Sequence, residues 1–301
     1  MKNVLLILLT ILLFGAIAVY MLFLRPTGTE YSNKPYDSDM SDKTSMEDDH
    51  MDDNGEDTNT DQEDQLPSET LLGKSVEGRD LMAYHFGTGD TELLFVGGTH
   101  GGYSANTSEL MDELVSYLQA NPEAVPENVR VTVVPLLNPD GLAKLDANPS
   151  DTTAARFNAN KVDLNRNFDC AWQAESTWRN TTVSGGDSAF SEPEAAAIRD
   201  YVESHQIAGA VVYYSAAGGV YASSCNNGVS AKTKALTNLY AEAAGYDAFE
   251  EFDYYEVTGD MVNWLAKLNI PAISVLLSNH ETIEWNKNQA GIKAVLDYYS
   301  K

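Results

Sequence analysis

The sequence predicts an α/β domain with helices on both faces of its sheet, set behind an apolar N-terminal run and an acidic linker. Three observations carry this. From residue 67 onward, short apolar runs of strand length alternate with segments of helical period. Several of those runs are continuously apolar, the pattern of strands covered on both sides. Ahead of them, residues 30–66 are dense in Asp and Glu and poor in large apolar side chains. Such a stretch cannot bury enough surface to offset the entropy of ordering it.

Residues 4–24 form an almost unbroken apolar run, long enough for a membrane-crossing helix. Lys2 and the amino terminus precede it, which keeps that end in the cytoplasm and puts the domain outside. A cleaved signal peptide is the competing reading, because Ala16-Ile17-Ala18 has the small-residue pattern of a cleavage site. The apolar run continues to Leu24, which favours a retained anchor. The expected organisation is an anchor (or signal peptide) at 1–25, an acidic tether at 26–66 and a folded domain at 67–301. The expected location is the cell membrane in a single pass, or outside the cell if the leader is cleaved. The formal net charge of -26 argues against nucleic acid as a partner. Cys170 and Cys225 are the only cysteines, and an oxidising location would pair them.

Within the domain, 81–86 reads as a strand after a turn at 77–79. Residues 92–96 are a buried strand ending in Gly97-Gly98. Residues 108–120 are a helix with Leu110, Leu114, Val115 and Leu118 on one side. A strand at 129–137 stops at the turn signal Asn138-Pro139-Asp140-Gly141. A helix at 192–204 has Ser191 as its cap and Pro193 in its first turn. Residues 209–214 are a strand, 231–244 and 259–268 helices, 271–277 a strand and 284–299 a closing amphipathic helix. In such sheets the chemistry lies beyond the carboxyl ends of the strands, here after Val96, Leu137, Tyr214 and Val275.

Between those strand ends, residues 156–168 bring Arg156 and Arg166 together with several asparagines in an otherwise acidic chain. A guanidinium fork matches the two oxygens of a carboxylate, so the cluster suits an anionic group. The alternative is that internal acids such as Asp163 or Glu192 satisfy both arginines.

Five motifs then occur in order: Gly97-Gly98-Thr99-His100-Gly101-Gly102, Asn138-Pro139-Asp140-Gly141, Val162-Asp163-Leu164-Asn165-Arg166-Asn167-Phe168, Phe190-Ser191-Glu192-Pro193-Glu194 and Tyr255-Glu256-Val257-Thr258-Gly259-Asp260. The set resembles the carboxypeptidase A-like zinc metallocarboxypeptidases, over roughly residues 71–299. The resemblance implies a mixed, twisted sheet of about eight strands flanked by helices. It also implies zinc as cofactor and a pocket for a peptide's C-terminal carboxylate. By that resemblance Arg156 is the carbonyl-polarising arginine, Asn165 and Arg166 grip the carboxylate, and Tyr255 closes over the substrate. Val262 falls near the specificity position, which implies an apolar terminal side chain.

The metal side of the resemblance is uneven. His100 stands at the first zinc ligand. The glutamate ligand's place falls on Ser104 with the longer family spacing, the better alignment, or on Tyr103 with the shorter. The second histidine's place falls on Ser215, with Tyr214 as the alternative. Leu276 stands where the general-base glutamate belongs. Catalytic zinc uses three protein ligands and an open position, so this set argues against its retention. His280, Glu281 and Glu284 are the substitutes that could rebuild a ligand or base; Glu109 is a further acid on the following helix. Three readings result. The first is a tethered, catalytically impaired domain that binds the C-termini of peptides or peptidoglycan stem peptides. The second is an active zinc carboxypeptidase with unusual ligands. The third is a structural module without a ligand.

Overall fold

A computed structural model describes residues 68–301. The expected anchor at 1–25 and tether at 26–66 lie outside the described residues. Among the described residues no helix is long and apolar enough to cross a membrane.

Strands β1 (Glu69–Lys74) and β2 (Asp80–Phe86) form an antiparallel pair at the sheet edge. The first lacks a strong apolar run and was not expected. Strand β3 (Thr91–Val96) leads through Gly98, whose φ of 63° suits glycine, to a short 3-10 turn at Gly101–Ser104 and helix α1 (Ala105–Ala120). Strand β4 (Val129–Val134) ends earlier than its apolar run, because Pro135 has no N–H for the ladder. The Asn138-Pro139 pair, expected to make a turn, opens helix α2 (Pro139–Ala147) instead. The Asn138 side chain accepts from the Gly141 N–H at 2.8 Å, and proline is well placed in a first helical turn.

Strands β5 (Glu175–Trp178) and β6 (Thr181–Ser184) make a separate hairpin that was not expected. Helix α3 (Pro193–Ser204) follows Glu192, not Ser191, as its N-cap. The Ser191 hydroxyl instead donates to Glu192 Oε1 at 2.9 Å. Strand β7 (Ile207–Ser215) is followed by the short β8 (Gly219–Ala222) and by α4 (Ala231–Ala244), capped by Ser230. Strand β9 (Asp247–Phe249) precedes α5 (Met261–Lys267), which starts later than its apolar pattern because Asp260 caps it, accepting from the Asn263 N–H at 3.0 Å. Strand β10 (Ala272–Leu277) and helix α6 (Trp285–Tyr299) complete the chain.

The main sheet has eight strands in the order β1-β2-β4-β3-β7-β10-β8-β9. Its centre, β4-β3-β7-β10, is parallel, while β1–β2, β2–β4 and β10–β8 are antiparallel. The sheet is therefore mixed, as the resemblance implied. On one face Leu94, Val96, Val212 and Leu276 pack with Ile198 and Val202 of α3 and Trp264 of α5. On the other, Leu93, Phe95, Val211 and Val275 meet Leu110 and Leu114 of α1, Leu236 of α4 and Val295 of α6. Each central strand thus feeds two cores, which explains its continuous apolarity. The parallel strands end at the same side, so His100, Tyr214 and Leu276 arrive together.

Candidate functional site

The groove above the parallel strands has a cavity volume of about 790 Å³. Its floor is built from the loop 164–170. That loop is pinned to the segment before α5, because the Phe168 N–H donates to Gly259 O at 3.0 Å and the Gly259 N–H donates to Cys170 O at 2.8 Å. Gly259 has φ 63°, and a Cβ there would sit 2.2 Å from Arg166 O, so only glycine allows the approach. Cys170 is bonded to Cys225, which ties the same loop to the segment after β8.

The two arginines have different surroundings. Arg156 is 2% exposed, and its Nε and Nη2 both donate to Asp163 Oδ2, at 3.0 and 2.8 Å. Its guanidinium lies 4.5 Å from the Trp178 ring centroid and 5.5 Å from that of Tyr103. Burial alone would raise the Asp163 carboxyl, but Arg156, aided by Arg166, holds it well below the usual carboxylate range. Arg156 and Asp163 therefore form a closed ion pair.

Arg166, also 2% exposed, has no carboxylate within ion-pair distance among the described residues. Its Nε and Nη2 donate to Thr177 O at 3.2 and 3.0 Å, and its Nη1 to Asn165 O at 2.6 Å. Carbonyls orient the fork without neutralising it. The Tyr255 ring lies 5.8 Å from its guanidinium at the mouth of the groove. Thr177 and Trp178 belong to the β5–β6 hairpin, so that unexpected element holds both arginines in place. The alternating β-branched and aromatic residues around Trp178 were the available signal for it.

Asn165 lines the groove, but its side chain is largely committed. Its Nδ2 donates to Asp260 Oδ2 at 2.8 Å, and its Oδ1 accepts from the Tyr214 hydroxyl at 2.9 Å and the Met261 N–H at 3.2 Å. It joins β7, the arginine loop and α5 more than it faces a ligand.

His100 is 5% exposed, and neither ring nitrogen has a hydrogen-bond partner. Its Nε2 is 3.6 Å from Asp163 Oδ1, too long for a hydrogen bond. Burial, then the Arg156 charge, lowers its pKa to about 4, so the ring is neutral at pH 7. The Tyr214 ring packs against it at 5.3 Å. Burial pushes the Tyr214 phenol well up, so it stays protonated. Tyr103 also lines the groove.

Of the serines expected at the remaining ligand places, Ser215 lines the groove and Ser104 is not among its lining residues. Ser215 reaches the groove edge, but its hydroxyl donates to Asn106 Oδ1 at 2.8 Å. Successive strand side chains alternate faces, so Tyr214, not Ser215, turns towards His100. Ser104 is buried with its hydroxyl unpartnered. Leu276 lines the groove beside Tyr214, its direct partner across the parallel β7–β10 pair. Of the proposed substitutes, Glu284 is engaged by the Ser278 N–H, the Ser278 hydroxyl and the Tyr246 hydroxyl. Glu109 is exposed on α1, Glu281 is exposed, and His280 packs its ring on Tyr103 at 4.6 Å. No cluster of three or more His, Cys, Asp and Glu side chains suited to a metal occurs among the described residues. A histidine packed on Tyr214, in a groove also lined by Tyr103 and Leu276, does not fit a zinc ion held by three protein ligands.

Comparison with known proteins follows the same lines. A family model described as zinc carboxypeptidase matches residues 57–296. Human carboxypeptidase D is 36% identical over 110 residues, which are 32% of this chain and 8% of that protein. Mouse carboxypeptidase M is 29% identical over 144 residues, 44% of this chain and 30% of that protein. The match thus spans a minor part of these relatives' length. Among solved structures, a murein-tripeptide amidase, MpaA, from Escherichia coli O157 superposes with a TM-score of 0.57 at 23% identity, covering 77% of this chain and 92% of that one. A carboxypeptidase A from Helicoverpa armigera gives 0.63 at 20% identity, covering 77% and 68%.

Proposed function

The chain belongs to the zinc carboxypeptidase family, and from that premise we propose that its domain binds the C-terminal carboxylate of a peptide without hydrolysing the peptide bond. Arg166 carries this reading. It is a buried guanidinium fork in a groove, oriented by carbonyls, with no carboxylate within ion-pair distance among the described residues. A cation so placed is costly until an anion joins it. The ligand carboxylate would lie on Arg166 with the Tyr255 ring above. Arg156, already paired to Asp163, would present Nη1 to the preceding carbonyl.

Turnover is a different demand. Hydrolysis in this family needs a polarising metal and a base for the water. Around His100 the groove is lined by Tyr103, Tyr214 and Leu276. Their side chains supply neither a metal-ligand set nor a carboxylate base, so the domain is proposed to be catalytically impaired. The likeness to a murein-tripeptide amidase supports peptidoglycan stem peptides as one class of ligand. The apolar run at 4–24 and the acidic stretch at 30–66 support a membrane-tethered domain outside the cytoplasm.

Calorimetric titration of the full-length chain with peptides carrying free or amidated C-termini tests the binding. Free peptides are expected to bind at least about tenfold more tightly. Equal binding refutes the clamp, and stoichiometric release of terminal residues refutes the impairment.

A further inference from the structure

The β5–β6 hairpin carries a third arginine, which the carboxylate clamp does not use. Trp178 and Thr181 are direct partners across the two strands, so Arg179 and Asn180 form a two-residue turn. Arg179 has a φ of 55°. Turns this short favour glycine, asparagine or aspartate in the left-handed region, because a Cβ there crowds the backbone. A long side chain at such a position costs conformational energy, and residues held this way cluster at ligand sites. Arg179 and Asn180 are exposed, and both line the groove.

This guanidinium is positioned but not neutralised. Among the described residues the arginine ion pairs are those of Arg79, Arg156 and Arg199, so Arg179 has no carboxylate within ion-pair distance. Glu251, Glu256 and Asp260 also line the groove, and none of them reaches it. The Arg179 guanidinium lies 5.3 Å from the Trp178 ring centroid, and the buried Arg156 lies 4.5 Å from that side chain's ring. One indole thus places two cations. Tyr103 packs edge-on against Trp178 at 5.1 Å and against His280 at 4.6 Å. Burial first, then the Arg179 and Arg156 charges, lower the His280 pKa, so both cations are felt across this aromatic wall. Thr177 O meanwhile holds Arg166. Three consecutive hairpin residues therefore set out three guanidinium groups, from the buried floor of the groove to its exposed lip.

We propose that Arg179 is a second anion subsite, which selects peptides carrying a carboxylate side chain in the residues just before the terminal one. With the terminal carboxylate on Arg166 and the preceding carbonyl on Arg156, the peptide leaves the groove past Trp178. An acidic side chain there meets the Arg179 fork, and the Asn180 amide can donate beside it. A chain of net charge -26 repels acidic peptides at long range, so a free cation at the lip decides whether they are accepted. This inference rests on the carboxylate reading of Arg166, because that contact fixes which end of the peptide enters.

The test is calorimetry on the full-length chain in mild detergent at low salt, with four probes: acetyl-Glu-Glu-Ala, acetyl-Gln-Gln-Ala, and the C-terminal amide of each. Glutamine keeps the shape and removes the charge. The glutamate peptide is expected to bind about threefold to fivefold more tightly, the scale of an exposed ion pair, and the preference is expected to shrink as salt rises. Glycine suits the φ of position 179, so Arg179→Gly is expected to stay folded. In that variant the preference should vanish or reverse, since the charge left on the chain is negative. An equal loss of affinity for both peptides in Arg179→Gly would mean that the side chain only props the hairpin, and would overturn the inference. Equal binding of the glutamate and glutamine peptides to the wild type overturns it too and leaves the clamp standing. Equal binding of free and amidated forms of both overturns the clamp, and this inference with it.

Discussion

Replacing Arg166 with methionine removes the guanidinium while keeping most of its volume. In the free protein three donor contacts vanish, two to Thr177 O and one to Asn165 O. Each contributes about 1 kcal/mol net. Against this, the variant no longer buries a cation that has no carboxylate within ion-pair distance among the described residues, so the two effects oppose each other. The domain is expected to stay folded, with a change in stability of no more than about 2 kcal/mol. Binding has no such compensation. A hydrogen bond to a charged group contributes about 1.5–3 kcal/mol, which corresponds to roughly a 10-fold to 150-fold loss. That loss should fall wholly on ligands with a free carboxylate. The assay is calorimetry on wild type and Arg166→Met with free and amidated peptides, supported by thermal unfolding. The advantage of the free C-terminus should collapse towards unity in the variant. If it survives intact, Arg166 does not hold the carboxylate and the reasoning fails. Arg156→Met provides a contrast. It leaves Asp163 buried and unpaired, so a stability loss of about 3–5 kcal/mol is expected there.

His100 should set part of the acid sensitivity. Its pKa is lowered from 6.5 to about 4 on folding, so below pH 6.5 the unfolded chain takes a proton that the folded chain refuses. Stability is lost as pH falls through that window, by about 3 kcal/mol from this residue; His100→Gln should flatten the pH dependence of chemical denaturation there, and an unchanged slope would count against it. Asp163 has the same sign at lower pH, since its depressed pKa protects the folded state until the carboxylate is finally protonated. Reducing the Cys170–Cys225 bridge, or replacing both residues with serine, should cost about 2–4 kcal/mol and loosen the arginine loop. Thiol labelling without reductant should find neither cysteine free. A metal-binding test separates the two alignments of the missing ligands. Tyr103→Glu with Tyr214→His should create zinc affinity alongside His100, whereas Ser104→Glu with Ser215→His should not, and metal analysis after dialysis would reverse this assignment if it found the opposite.

The alternating apolar runs were enough to predict an α/β domain, because burial on both faces leaves a strand no polar side. Helix α4 was expected at its observed bounds, since Ser230 and Gly245 mark both ends. The short strands β8 and β9 were not legible, as three or four residues between glycines and serines carry no usable period. The two arginines were legible as a cluster, and both are buried and line one groove.

Other features depended on contacts between distant parts of the chain. Spacing offered Ser104 or Tyr103 and Ser215 or Tyr214 at the ligand places; Tyr103, Tyr214 and Ser215 line the groove, and β7 turns the Tyr214 ring towards His100. The sequence offered Asp163 as a partner for both arginines, and only the structure pairs it with Arg156 and leaves Arg166 on carbonyls. That difference comes from the β5–β6 hairpin and from Gly259, which admits the arginine loop. Composition and period decide which side chains must be buried; only packing decides which buried polar groups meet one another and which are left facing a ligand.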